Sequence, residues 1–153
     1  MQSEDLILIG GGGFAMEILC YLQDLNNISE EKKVKVVGVV DSGRPRLEDA
    51  ESILGYSLTH WGNLKSVDVP NRKFIIGIGN PVIREKIRGE IVDYGGQLIS
   101  VVHPSAYVAQ SATIHTGAIV APFVFVGPMA TVGTNSVLNT YASVGHDAKV
   151  GPS

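Results

Sequence analysis

The sequence predicts two units of different construction: an α/β unit with a parallel sheet over residues 1–101, then a parallel β-helix over residues 102–153. Three observations carry this. Apolar strand-like runs alternate with helical patterns in the first hundred residues, and the first run enters a helix through four glycines. Formal charge nearly vanishes from Val102 onward, where only Asp147 and Lys149 remain. From the same point an aliphatic residue recurs at every sixth position.

The first unit opens with "LILIGGGGFAMEILCYLQDL". Leu6 to Ile9 read as a buried strand, and Ile18, Leu22 and Leu25 recur at helical spacing beyond the glycines. Gly10, Gly12 and Ala15 fit the G-x-G-x-x-G/A turn, in which backbone N–H groups approach a diphosphate at a helix N-terminus. A second strand, "VKVVGVV", ends at Asp41, where a dinucleotide enzyme carries its ribose-binding acid. Asp41 capping a loop is the simpler alternative. A third strand, "KFIIGIG", leads into "NPVIREKIRGEIVDYGG". There Asn80 suits the N-cap, Pro81 the first helical position and Gly95 the stop. A glycine turn with no ligand at all remains open. NAD binding is disfavoured because only one mononucleotide-binding half is present. Cys20 stands among Ile18, Leu19 and Leu22 and is expected in the core.

The aliphatic positions of the second unit are Val102, Val108, Ile114, Val120, Val126, Val132, Leu138, Val144 and Val150. Four residues after each of the first eight stand Ala106, Ala112, Ala118, Val124, Ala130, Ser136, Ala142 and Ala148. Neither the helical period of 3.6 nor the strand period of 2 produces a repeat of six. A parallel β-helix does, each hexad being a short strand and a turn with the aliphatic and the small residue directed inward.

Composition narrows the function classes. A formal net charge of −3 gives no electrostatic case for nucleic acid or an anionic membrane. Cys20 is the single cysteine, so no intrachain disulfide can form and a reducing cytoplasm is the expected location. No apolar run is long enough to span a bilayer, and "MQSEDLILIG" lacks the basic flank of a signal peptide. The histidines show no metal-site spacing and there are no cysteine partners, so no metal is expected.

Hexads such as "VAQSAT", "VGPMAT" and "VGTNSV" resemble those of the hexapeptide-repeat acyltransferases. That resemblance implies a left-handed helix in which three hexads complete one triangular coil, setting Phe123 beneath Tyr141. A glycine-rich α/β unit joined to such a helix resembles the sugar O- and N-acetyltransferases of bacterial surface-glycan biosynthesis, which acetylate sialic acid or the amino group of UDP-4-amino-4,6-dideoxy sugars. The likeness rests on "GGGGFAMEI", "IGIGNPVIREKI", "VHPSAYVAQSATI" and "NTYASVGHD". It implies that His146 is the catalytic base and Asp147 its acidic neighbour. It also implies acetyl-CoA as acyl donor, a sugar or UDP-sugar acceptor, and a homotrimer with active sites between subunits. Members of the family continue for several further coils that supply much of the acetyl-CoA groove. The helix is therefore expected to run on past Ser153, and the donor site is not located by these residues.

Histidine suits this chemistry because its reference pKa, about 6.5, lets it take a proton from an attacking amine or hydroxyl at neutral pH. A carboxylate beside it can fix the tautomer and stabilise the imidazolium. Adjacent residues on a regular strand face opposite ways, so Asp147 can reach His146 only if the turn breaks that alternation. His103 and His115 are expected to be structural. The N–H groups of Gly11, Gly12 and Gly13, with Asp41, Gly79 and Asn80 nearby, are expected to hold the acceptor. The nearly uncharged exterior with Phe123, Phe125 and Tyr141 off the core positions points to packing against other subunits. The alternative to catalysis is a nucleotide-sugar-binding or oligomerisation module.

Overall fold

A computed structural model describes residues 4–29 and 33–153. The described residues divide into two compact units, one ending at Leu98 and the other beginning at Ile99.

In the first unit, strand β1 (Glu4–Ile9) buries Leu6 to Ile9 on both faces, the continuous apolar run expected of a central parallel strand. Helix α1 (Gly13–Ile28) follows, then β2 (Val34–Val40), α2 (Leu47–Leu54), β3 (Thr59–Trp61), a 3-10 turn (Leu64–Ser66), β4 (Lys73–Ile76), α3 (Pro81–Asp93) and β5 (Gln97–Leu98). The strands form one parallel sheet in the order β3-β2-β1-β4-β5. The chain winds outward from β1 on one side and then returns to build the other. The switch point where such sheets open a crevice thus lies between β1 and β4. One core joins Ile7 and Ile9 to Val40, Phe74, Ile76, Ile91 and Leu98.

Helix α1 turns Ala15, Ile18, Leu19 and Leu22 inward, all nearly free of solvent. Ala15 packs so closely on Gly77 that a Cβ on that glycine would stand 2.9 Å from it. This is the close helix–strand approach that the last position of the glycine fingerprint serves. Cys20 is exposed, contrary to the expected core position. At about 100° per residue the helix swings it toward the side of Glu17 and Asp24. Helix α3 begins as expected: Asn80 Oδ1 accepts the Ile83 N–H at 3.1 Å and Pro81 opens the first turn. It ends at Gly95, whose φ of +78° and bond to the Val92 carbonyl close the last turn. Strands β3 and β5 extend the sheet beyond the three strands legible in the sequence, and helix α2 lies between β2 and β3 in the chain.

The second unit consists of nine two-residue strands, β6 (Val101–Val102) to β14 (Lys149–Val150), six residues apart. They stack as three parallel sheets, β6-β9-β12, β7-β10-β13 and β8-β11-β14. The register advances eighteen residues per coil, as in Tyr107↔Phe125↔Ser143. This three-faced repeat is consistent with a left-handed β-helix. Inward positions of the middle coil are sealed, with Val120, Val126 and Val132 at 0% exposure. From Gly117 onward each hexad turns through a residue with positive φ, at Gly117, Phe123, Met129, Asn135, Tyr141, Asp147 and Ser153. Non-glycine residues in this region cost on the order of 1–3 kcal/mol each. The stacked coils hold them there: the N–H groups of Asn135, Tyr141, Asp147 and Ser153 donate to the carbonyls of Thr116, Pro122, Pro128 and Thr134 one coil below. For Phe123 and Met129 the acceptor is instead the hydroxyl of Ser105 or Ser111.

Candidate functional site

The first unit carries a cavity of about 270 Å³ at the carboxyl ends of β1 and β2, beside α3. Its polar lining comes from Asp41, Ser42, Asn63 and Glu90, and its apolar wall includes Ile83 and Ile87. Of the residues expected to hold an acceptor, only Asp41 lines it, joined by Gly10 from the same glycine turn. Gly12 is the N-cap of α1 and Gly13 its first residue; a Cβ on either, or on Gly79, meets open space. Asn80 spends its side-chain oxygen on the N-terminus of α3.

Gly11 is enclosed. Its N–H donates to Asp41 Oδ2 at 2.8 Å, its carbonyl accepts the Arg46 N–H at 2.9 Å, and a Cβ would fall 2.3 Å from Pro45 Cβ. Asp41 Oδ1 accepts the Gly43 N–H at 2.7 Å, so the carboxylate caps its own loop and also fastens that loop to the glycine turn. The loop-capping alternative and a position at the crevice therefore both describe Asp41.

Asn63, Glu90 and Arg84 went unmarked in the sequence. Arg84 is 1% exposed and donates through Nη1 to the carbonyls of Ile76 and Ile78 at the end of β4. Burial disfavours its charge and lowers its pKa to about 10, which leaves it ionised at neutral pH. It secures the backbone that leads from β4 to α3. The only sequence signal was an arginine inside an otherwise ordinary helix.

In the second unit the turn of residues 145–148 presents His146 and Asp147, with side chains 83% and 73% exposed. Asp147 has φ +57°, which breaks the strand alternation and returns its carboxylate to the preceding ring. Asp147 Oδ2 lies 2.8 Å from His146 Nδ1. His146 is thus turned outward, as its place between inward Val144 and Ala148 requires. His103 is 8% exposed; its Nδ1 accepts the Ser105 N–H at 3.1 Å and pairs with the Ser105 hydroxyl at 2.8 Å. His115 is exposed, and its backbone carbonyl accepts the Ser100 hydroxyl.

Around the His146 turn the helix surface is apolar. Phe123 stacks on Tyr141 and Tyr107 on Phe125, both with ring centroids 5.3 Å apart. Met129 stands one coil below Asp147. All five are exposed, Tyr141 by 76% and Met129 by 63%.

An α/β unit with a glycine turn and a switch-point crevice, followed by a hexapeptide β-helix bearing an outward His–Asp pair, defines the class of chain. Residues 5–91 match the PglD N-terminal domain model, and the chain belongs to that family. No curated protein matches it. Among solved structures it resembles a histidine-to-alanine mutant of GDP-perosamine N-acetyltransferase from Caulobacter crescentus in complex with CoA and GDP-perosamine. That likeness has a TM-score of 0.76 and 24% identity over 96% of this chain and 65% of the other. The acetyltransferase domain of PglB from Neisseria gonorrhoeae FA1090, in complex with acetyl coenzyme A, matches with a TM-score of 0.76 and 22% identity over 99% of this chain and 69% of that one. These likenesses show the fold, and this chain spans roughly two thirds of each neighbour's length. No described helix is long and apolar enough to cross a membrane.

Proposed function

We propose that this chain carries the acceptor site and the general base of an acetyl-CoA-dependent sugar or nucleotide-sugar acetyltransferase of surface-glycan biosynthesis. The observation that carries the reading is the His146–Asp147 pair, held outside the coil by a left-handed turn and joined at 2.8 Å. Family membership and the ligands bound in the structural neighbours, GDP-perosamine and acetyl coenzyme A, support the same class of substrates.

In this reading His146 Nδ1 keeps its proton and donates a hydrogen bond to Asp147, which leaves the Nε2 lone pair as the proton acceptor. The acceptor's amine or hydroxyl attacks the thioester carbonyl carbon as Nε2 takes its proton. The carbon–sulfur bond then breaks, and the departing thiolate recovers that proton as the thiol. No acyl-enzyme is needed. The exposed aromatic residues around the turn fit a homotrimer interface, because Phe123, Met129 and Tyr141 accept left-handed backbone while facing outward.

The test is acetyl transfer from acetyl-CoA to UDP- and GDP-linked amino sugars and to sialic acid, read as thiol release and acetylated product. Release with at least one acceptor, abolished without it, is expected. Nucleotide-sugar binding with no thiol release from any acceptor would leave the non-catalytic binding module as the better reading.

A further inference from the structure

We propose that Arg44 binds the diphosphate of a nucleotide-linked acceptor, from a loop fastened to the glycine turn. The inference rests on the acceptor reading above.

The crevice lacks what an anionic ligand needs. Asp41 and Glu90 line it, and no cationic side chain among the described residues does. In a glycine fingerprint the turn's N–H groups ordinarily answer the phosphate. Here the Gly10 N–H is spent on the Val40 carbonyl and the Gly11 N–H on Asp41. A diphosphate would thus meet two carboxylates with half of the usual turn donors already engaged. A compensating positive charge must come from outside the lining.

The loop of residues 41–46, "DSGRPR", supplies one. It is pinned on both sides of Arg44: Gly43 to Asp41 Oδ1, Pro45 against Gly11, and the Arg46 N–H to the Gly11 carbonyl. The Arg46 side chain is already committed, with Nε 2.6 Å from Asp49 Oδ2. Arg44 is exposed and makes no hydrogen bond or ion pair among the described residues. A free guanidinium on a backbone held against the glycine turn is suited to a phosphate. Its planar fork presents two parallel N–H groups to two oxygens at once, a geometry an ammonium lacks.

Calorimetric titration of the whole chain with UDP, GDP, uridine and guanosine tests this, using wild type, Arg44→Gln and Arg44→Lys. Arg44→Gln is expected to weaken the diphosphate it binds by about tenfold to a hundredfold, the loss of a charge-assisted hydrogen-bonded pair. The matching nucleoside should bind as to wild type, Arg44→Lys should recover part of the loss, and the salt dependence of diphosphate binding should flatten in Arg44→Gln. Equal diphosphate affinity in Arg44→Gln and wild type overturns the assignment while leaving the acceptor site standing. Equal loss of nucleoside and diphosphate overturns it in favour of a loop-shaping role. Absence of nucleotide binding by the wild type overturns the acceptor reading and this assignment with it.

Discussion

Replacing His146 with alanine removes a side chain that is 83% exposed and that, among the described residues, is hydrogen-bonded to Asp147. No core volume is lost, because the inward positions on either side belong to Val144 and Ala148. Stability should therefore stay within about 0.5 kcal/mol, roughly 1–2 °C in Tm for a chain of this size. Turnover is a different matter. Loss of a general base costs about a hundredfold to ten-thousandfold in rate, and kcat of His146→Ala should fall by that order with acceptor affinity unchanged. Asp147→Asn keeps a residue that tolerates the left-handed turn and removes only the charge. An exposed hydrogen bond of this kind is worth little in water, so its rate cost should be a few-fold. The assay is steady-state thiol release beside a thermal melt of each variant. A His146→Ala protein that melts normally and turns over within threefold of wild type would refute the reasoning.

Three further outcomes follow from the same structure. Gly12→Val meets no neighbour and should fold normally while weakening nucleotide-sugar binding, whereas Gly11→Ala collides with Pro45 and should lower Tm; titration and melting curves separate the two. Arg84→Met leaves the buried carbonyls of Ile76 and Ile78 without that donor and should cost about 2–5 kcal/mol by urea unfolding, with the loss confined to the α/β unit. Replacing Phe123 and Tyr141 together with serine removes a stacked, exposed pair and should convert the proposed trimer into smaller species in light scattering; an unchanged mass would remove these rings from the proposed interface.

Periodicity determined most of the architecture. Inward aliphatic residues at every sixth position follow directly from a three-faced coil with two-residue strands, because each turn restores the same environment after six residues. The helix boundaries at Asn80 and Gly95 were equally legible, since capping is local chemistry between residues close in sequence. Strand β3, "THW", was not. It is short and polar, and it holds its edge because Trp61 fills the space that Gly38 leaves open on β2. Cys20 reads as core from its neighbours, but only the orientation of α1 on the sheet decides which arc of the helix faces inward.

The candidate sites divide in the same way. His146 stands out in the sequence because a titratable residue interrupts a nearly uncharged repeat. Its link to Asp147 depends on a positive φ that the sequence pattern of a strand and turn does not encode, and that the Pro128 carbonyl of the coil below stabilises. In the crevice, the glycine turn and Asp41 were visible as a local motif. That Asp41 is occupied by Gly11 and Gly43, that Asn63 and Glu90 share its cavity, and that Arg44 is left without a partner among the described residues all arise from how the segments pack. Local patterns record which residues want to be buried or to turn; which polar groups end up satisfied is decided only when the sheet assembles.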